Sequence, residues 1–171
     1  MSKIMLKNVR LSFPDLYNKS SYNGKEGKYG ATLLLDKNDE DTYEAITEAI
    51  QEALTEAKVK IPRDKWFLKD GDESEYDGYG DHWSIKATNN SRPTLVDAKA
   101  VQSTLEDALF YPGCYVNAQI GVWIQNNSYG KRVNANLYGV QFYKDGADFS
   151  GGAKVSSVDD FAVISPNVDM D

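Results

Sequence analysis

The stretch "QIGVWIQNNSYGKRVNANLYG", residues 119–139, reads as one hairpin with two opposed faces. Side chains alternate sides along a strand, so Ile120, Val122 and Ile124 form a buried row. The outward row is then Gln119, Gly121, Trp123 and Gln125, extended backwards by Asn117 and Tyr115. In the returning strand Val133, Ala135 and Leu137 point inward, Gly139 permits a bulge, and Val140 and Phe142 take over the inward phase. Its outward set is Arg132, Asn134, Asn136, Tyr138, Gln141 and Tyr143. Residues 126–131, "NNSYGK", join the strands antiparallel, which brings the two polar faces side by side. The outward surface is thus built of amides, aromatics and arginine.

Further strand candidates precede the hairpin: "KIMLKNVRLSF", "YGATLLLD", "HWSIKAT" and "PTLVD", with "GCYVNAQIGVWIQ" and "RVNANLYGVQFYK" forming the hairpin itself. One helix stands among them. "DEDTYEAITEAIQEALTEAK" sets Tyr43, Ile46, Ile50, Leu54 and Ala57 on one stripe, with acids in the first turns and Lys58 and Lys60 near the end, as the helix dipole favours. The expected fold class is mainly β: an OB-fold-like five- to six-stranded barrel with one amphipathic helix inserted after the second strand, plus an acidic C-terminal tail. Residues 1–150 form the expected domain and residues 151–171 the tail.

The 171 residues, 41% of them hydrophobic, suffice for one globular domain with a core. The single cysteine, Cys114, excludes an internal disulfide. With the single histidine, His82, it cannot make a protein-only zinc site of the usual kind. No glycine-rich phosphate loop of Walker type is present. No apolar run reaches the roughly 18 residues of a membrane helix, and the start "MSKIMLKNVRLSF" lacks a signal-peptide core, so the expected location is the cytoplasm.

A net charge of -7 argues at first against nucleic acid. Its distribution does not. Residues 39–57 hold seven acids, residues 70–81 six and residues 155–171 four, all without a base. Removing those seventeen from twenty-six acids leaves nine against nineteen bases, a surplus of ten over the rest of the chain. Charge blocks are commonly just solvated faces, yet this segregation leaves room for a basic surface.

Unpaired bases present an apolar π-face and polar edges. A sheet offering aromatics for stacking, amides for hydrogen bonds and cations for phosphates suits a single strand. Tyr115, Trp123 and Tyr138 could each instead sit under the helix or in a subunit interface, but their clustering with Arg132 favours stacking. In an OB barrel, nucleic acid lies across strands 2 and 3 and contacts the loops between strands 1 and 2 and between strands 4 and 5. The first of these loops is "YNKSSYNGKEGKYG", residues 17–30, with Lys19, Tyr22, Lys25 and Lys28; the second is "NNSYGKR", with Tyr129, Lys131 and Arg132. Lys86, on the outward phase of "WSIKAT", and Arg92 extend the cationic track.

"RLSFPDLY", "KYGATLLLDK", "LKDGDE" leading into "YDGYGDHWSIKATNNSRPTLVD", and "YPGCYVNAQIGVWIQNNSYGKRVNANLYGVQFYKDG" follow one another over most of residues 8–146. In this order they resemble a bacteriophage-encoded family of single-stranded-DNA-binding proteins with an OB fold. The resemblance implies a role in phage replication or recombination, coating exposed strands without catalysis and without a cofactor. It also implies an acidic tail that competes with DNA and engages phage or host replication proteins. "VSSVDDFAVISPNVDMD", with Asp159, Asp160, Asp169 and Asp171, is similar to such a tail, though it carries an apolar "FAVI" and ends on aspartate rather than an aromatic residue.

Two other function classes compete. A phage structural or protein-interaction module would use the same aromatic face against another chain. A metal-dependent nucleic-acid enzyme would use the carboxylates of "DGDESEYDGYGD", residues 70–81, but their spacing fails the calcium-loop pattern and no base stands beside them. Acidic, glycine-rich loops are ordinarily solvated turns. His82 is expected at the surface, Cys114 in the core, and Trp66 with Phe67 as a hydrophobic plug beneath the acidic loop more readily than as stacking groups.

Overall fold

The computed structural model describes residues 3–22, 24–76, 78–104, 109–148, 162 and 164. Nine strands and one α-helix follow in order: β1 Lys3–Asp15, β2 Ser21–Tyr22, β3 Lys25–Glu26, β4 Tyr29–Asp36, α1 Glu40–Ala57, β5 Leu68–Asp70, β6 His82–Asn89, β7 Thr94–Val96, β8 Tyr115–Asn127 and β9 Gly130–Lys144. The strand and helix bounds lie within about two residues of those read from periodicity. The additions are the short β2–β3 hairpin in the loop after β1, and β5.

β1 pairs with β4 on one side and β8 on the other, β4 with β6, and β8 with β9, all antiparallel. A parallel bridge from Thr88 of β6 to Asn136 of β9 closes the ring. Five long strands therefore make a barrel, with β5 and β7 on its margins. In strand order this is the OB arrangement, β4 and β6 standing as its second and third strands. Closure removes the exposed sheet edges that a short open sheet would present.

The inward rows meet as expected. Leu6, Val9 and Leu11 of β1, Leu33 and Leu35 of β4, Ile85 of β6, Val116 and Ile120 of β8, and Leu137 of β9 are buried in one core with Cys114. Burial pushes the Cys114 thiol pKa up and keeps it an unreactive small hydrophobe. Helix α1 packs on β1 and β8 through Ile46, Ile50 and Leu54. Each such side chain contributes roughly 1.5–3 kcal/mol when fully buried. Asp39 caps the helix by accepting from the Thr42 N–H at 3.2 Å and the Thr42 hydroxyl at 2.7 Å. Among the described residues no helix is long and apolar enough to cross a membrane.

Candidate nucleic-acid interface

Three local irregularities shape one side of the barrel. In β1 the register with β4 slips between Ser12 and Asp15. Pro14 has no N–H to offer the ladder, and Phe13 takes a positive φ of 46°, which is uncommon for a bulky side chain. The bulge swings the Phe13 ring out of the pleat, leaving it 54% exposed. Second, among the described residues β6 and β9 share one backbone pairing, Thr88 with Asn136, reinforced by the Asn89 side-chain amide donating to the Leu137 carbonyl at 3.0 Å, and residues 66–67 fill the rest of the seam between them. The Phe67 N–H donates to the Val133 carbonyl at 2.9 Å, and the Phe67 carbonyl accepts from the Lys86 N–H at 3.3 Å. Third, the acidic loop folds over the outer face of β1 and β4, where the buried Tyr79 hydroxyl meets the Ser12 hydroxyl at 2.8 Å.

These features enclose a groove of about 1020 Å³. Its walls come from β4 and β6 (Thr32, Ser84, Lys86), the loop after β1 (Lys28), the tip of the β8–β9 hairpin (Trp123, Gln125, Arg132, Asn134), and the 65–79 segment (Lys65, Lys69, Tyr76). Five cations, Lys28, Lys65, Lys69, Lys86 and Arg132, face three carboxylates, Asp15, Asp70 and Glu73. Asp70 is not available to repel an anion, because Lys37 Nζ holds it at 2.6 Å and Asp72 at 2.5 Å. That ammonium keeps both carboxyls below their usual range, and they in turn push the Lys37 pKa up. Asp15 behaves oppositely: burial raises its pKa, against a smaller lowering by Lys86.

The structure divides the residues singled out in the sequence. Lys28, Lys86, Trp123 and Arg132 line the groove. Lys19 stands at its margin, paired with Glu26 at 3.1 Å and 5.8 Å from the Tyr29 ring centroid. Arg92 lies 5.6 Å from the same ring and donates to the Tyr17 carbonyl at 2.6 Å. Lys25 is exposed in β3, and Tyr22 belongs to β2. Tyr129 sits at the turn of the hairpin, 88% exposed, with Lys131 exposed two residues on. Asp159, Asp160, Asp169 and Asp171 lie outside the described residues.

Tyr115 and Tyr138 share the outward phase with Trp123 but do not line the groove. The bulge at Gly139 is where β8 and β9 change register, Gln119 facing Gly139 and Ile120 facing Leu137. Tyr138 is the extra residue of that bulge, and Tyr115 stands at the far end of β8, paired with Lys144.

Sequence reading missed the groove's other aromatics. Phe13 and Tyr76 meet edge to face at 4.9 Å, and Tyr76 reaches Tyr79 at 5.3 Å. Phe13 occupies a position in "RLSFPD" that strand alternation alone cannot orient, and Tyr76 lies in the acidic block read as a solvated turn. The one available signal was Pro14, which marks a break in the β1 ladder. Trp66 and Phe67 are buried, as a plug should be, yet their edges also floor the groove. His82 is at the surface, its Nδ1 2.6 Å from the Gly80 carbonyl.

Comparison with known proteins agrees with this architecture. A family model described as the single-stranded-DNA-binding protein of Enterobacter phage Enc34 matches residues 2–171. A protein named putative protein p50, from Acyrthosiphon pisum secondary endosymbiont phage 1, is 37% identical over 175 residues, spanning 95% of this chain and 94% of its own. The Enc34 protein solved in complex with single-stranded DNA superimposes with a TM-score of 0.81 at 33% identity, covering 86% of this chain and 89% of that one. The gp2.5 single-stranded-DNA-binding protein of bacteriophage T7 shares the fold, with a TM-score of 0.61 at 13% identity over 91% of this chain and 99% of its own. From β1 to the end of the chain, this protein belongs to the family of the Enterobacter phage Enc34 single-stranded-DNA-binding protein.

Proposed function

We propose that the protein binds single-stranded DNA without sequence preference, coating exposed strands during phage DNA replication and recombination in the host cytoplasm, without catalysing a reaction. The observation that carries this reading is the groove. It lies across the second and third strands of an OB barrel between the two loops that such barrels use for oligonucleotides, with Trp123 on one wall and Phe13 and Tyr76 on another. Stacking on aromatics contributes on the order of 1–3 kcal/mol per base and tolerates any sequence. Lys28, Lys86 and Arg132 supply phosphate contacts.

Within this reading residues 1–150 form the binding domain, and residues 151–171 an acidic tail that competes with DNA and recruits replication proteins. A tethered polyanion acts at high effective concentration, so deletion after Lys154 tightens binding most at low salt.

Tryptophan fluorescence titrated with oligo-dT at graded salt tests the proposal. Trp66 is buried and Trp83 is stacked on Tyr43 at 4.5 Å, so quenching should come chiefly from Trp123. Trp123→Ala should lose the quenching and weaken binding while the melting temperature holds. Absence of any binding at low salt would exclude the function.

A further inference from the structure

Tyr115 and Tyr138, which the groove leaves out, are each capped by cations. Lys3 Nζ lies 4.8 Å from the Tyr138 centroid, and Lys144 Nζ and the Arg10 guanidinium lie 4.9 and 5.7 Å from that of Tyr115. Strand register sets both clusters on one outer face. Lys3 pairs with Gly121, which pairs with Asn136; Arg10 pairs with Tyr115, which pairs with Lys144. Gly121 lets the Tyr138 ring lie flat on the sheet, since a Cβ there would stand 2.6 Å from the ring.

We infer that this outer face of β1, β8 and β9 is a second track for the same DNA strand, continuing from the groove. The inference rests on the proposed groove function and adds a path to it. Three features specify the occupant. β8 and β9 contain no acidic residue and β1 only Asp15, at its groove end, in a chain whose net charge is -7; the face therefore complements a polyanion. Gln119 stands between the two cation clusters and Asn136 in the cross-strand row of Lys3, amides suited to base edges beside aromatic rings suited to base faces. An acidic peptide would use the charge but not this alternation of rings and amides. Finally, the face is continuous with the groove. Arg132 and Asn134 line the groove, and Asn136 and Tyr138 follow on the same side of β9, Tyr138 roughly 13 Å beyond Asn134. From Trp123 to Tyr115 is roughly 26 Å of strand. A single strand leaving the groove past Trp123 would run over Tyr138 toward Tyr115 and Lys144.

The test compares wild type with Lys3→Glu/Lys144→Glu, both exposed positions, on oligo-dT of about 8 and about 30 nucleotides, spanning the usual range of OB-fold sites. Lys58→Glu/Lys60→Glu, beyond the end of α1, controls for net charge. The short oligonucleotide, held by the groove alone, should bind all three proteins within about twofold. The long one should bind the Lys3/Lys144 variant at least about tenfold more weakly, with the salt slope reduced by roughly 1.4 for two lost phosphate contacts. The occluded length per protein should shrink. An equal loss in the control would assign the effect to net charge and overturn the inference. So would unchanged affinity and occluded length, or a wild-type dimer in sedimentation that the variant abolishes without any effect on DNA. Failure of the short oligonucleotide to bind wild type would instead remove the groove function itself.

Discussion

The Phe13 ring stands edge-on to Tyr76, centroids 4.9 Å apart at 72°, joining a bulge in β1 to the acidic loop across the groove mouth. Phe13 is 54% and Tyr76 61% exposed, so neither is held by core packing. Tyr76→Ala should weaken single-stranded DNA binding by about 1–3 kcal/mol, the range for one stacked base, with little change in melting temperature. Isothermal titration with oligo-dT beside a thermal melt would check both halves. Unchanged affinity would show that no base stacks there.

Gly71 anchors the loop that carries Tyr76. A Cβ at this position would meet the Tyr79 and His82 carbonyl oxygens at 2.2 and 2.4 Å, both backbone atoms that cannot swing aside. Gly71→Ala should destabilise by about 1–3 kcal/mol, as overpacking does, and loosen the Tyr79–Ser12 contact. Hydrogen exchange should then rise over residues 70–81, and DNA affinity should fall in parallel with Tyr76→Ala.

Asp15 places a carboxylate in the groove beside Lys86, with its pKa raised by burial. In the free protein it is protonated at a higher pH than an ordinary aspartate. Its negative charge opposes phosphate, so DNA binding should tighten as pH falls through the Asp15 pKa. Asp15→Asn should bind severalfold more tightly at pH 7 and lose that part of the pH dependence. Anisotropy titrations between about pH 4 and 8 measure both.

Lys37 ties β4 to the acidic loop through Asp70 and Asp72. Both carboxyls have lowered pKa values in the fold, so their stabilising effect is complete above the ordinary value of 3.8 and is lost as pH falls through the folded values below it. The Lys37 pKa is raised, so its effect persists until strongly alkaline pH. Denaturant melts should show wild type more stable than Lys37→Met at pH 6, with the difference shrinking below about pH 4. Lys37 and Asp70 are half-buried and Asp72 is exposed, so solvent reaches all three and salt should shrink it too.

Alternation in "QIGVWIQ" and "RVNANLYGVQFYK", and the helical stripe of Ile46, Ile50 and Leu54, specified the hairpin, the core rows and the helix from sequence alone. These are local patterns, in which each residue's side is set by its own strand or turn. The outward direction of Trp123 and Arg132 followed from the same rule, and so did the bulge at Gly139. What alternation cannot say is which outward residues share one concave surface. That required the closure of β6 on β9, the insertion of residues 66–67 into their seam, and the twist that separates Trp123 from Tyr138 and Tyr115. Phe13 and Tyr76 are 63 positions apart and each sits where the period breaks, one in a bulge and one in a loop. Only the tertiary structure brings them together, because a side chain outside a regular element takes its direction from the long-range contacts that hold its backbone, here Tyr79 on Ser12 and Lys37 on Asp70 and Asp72.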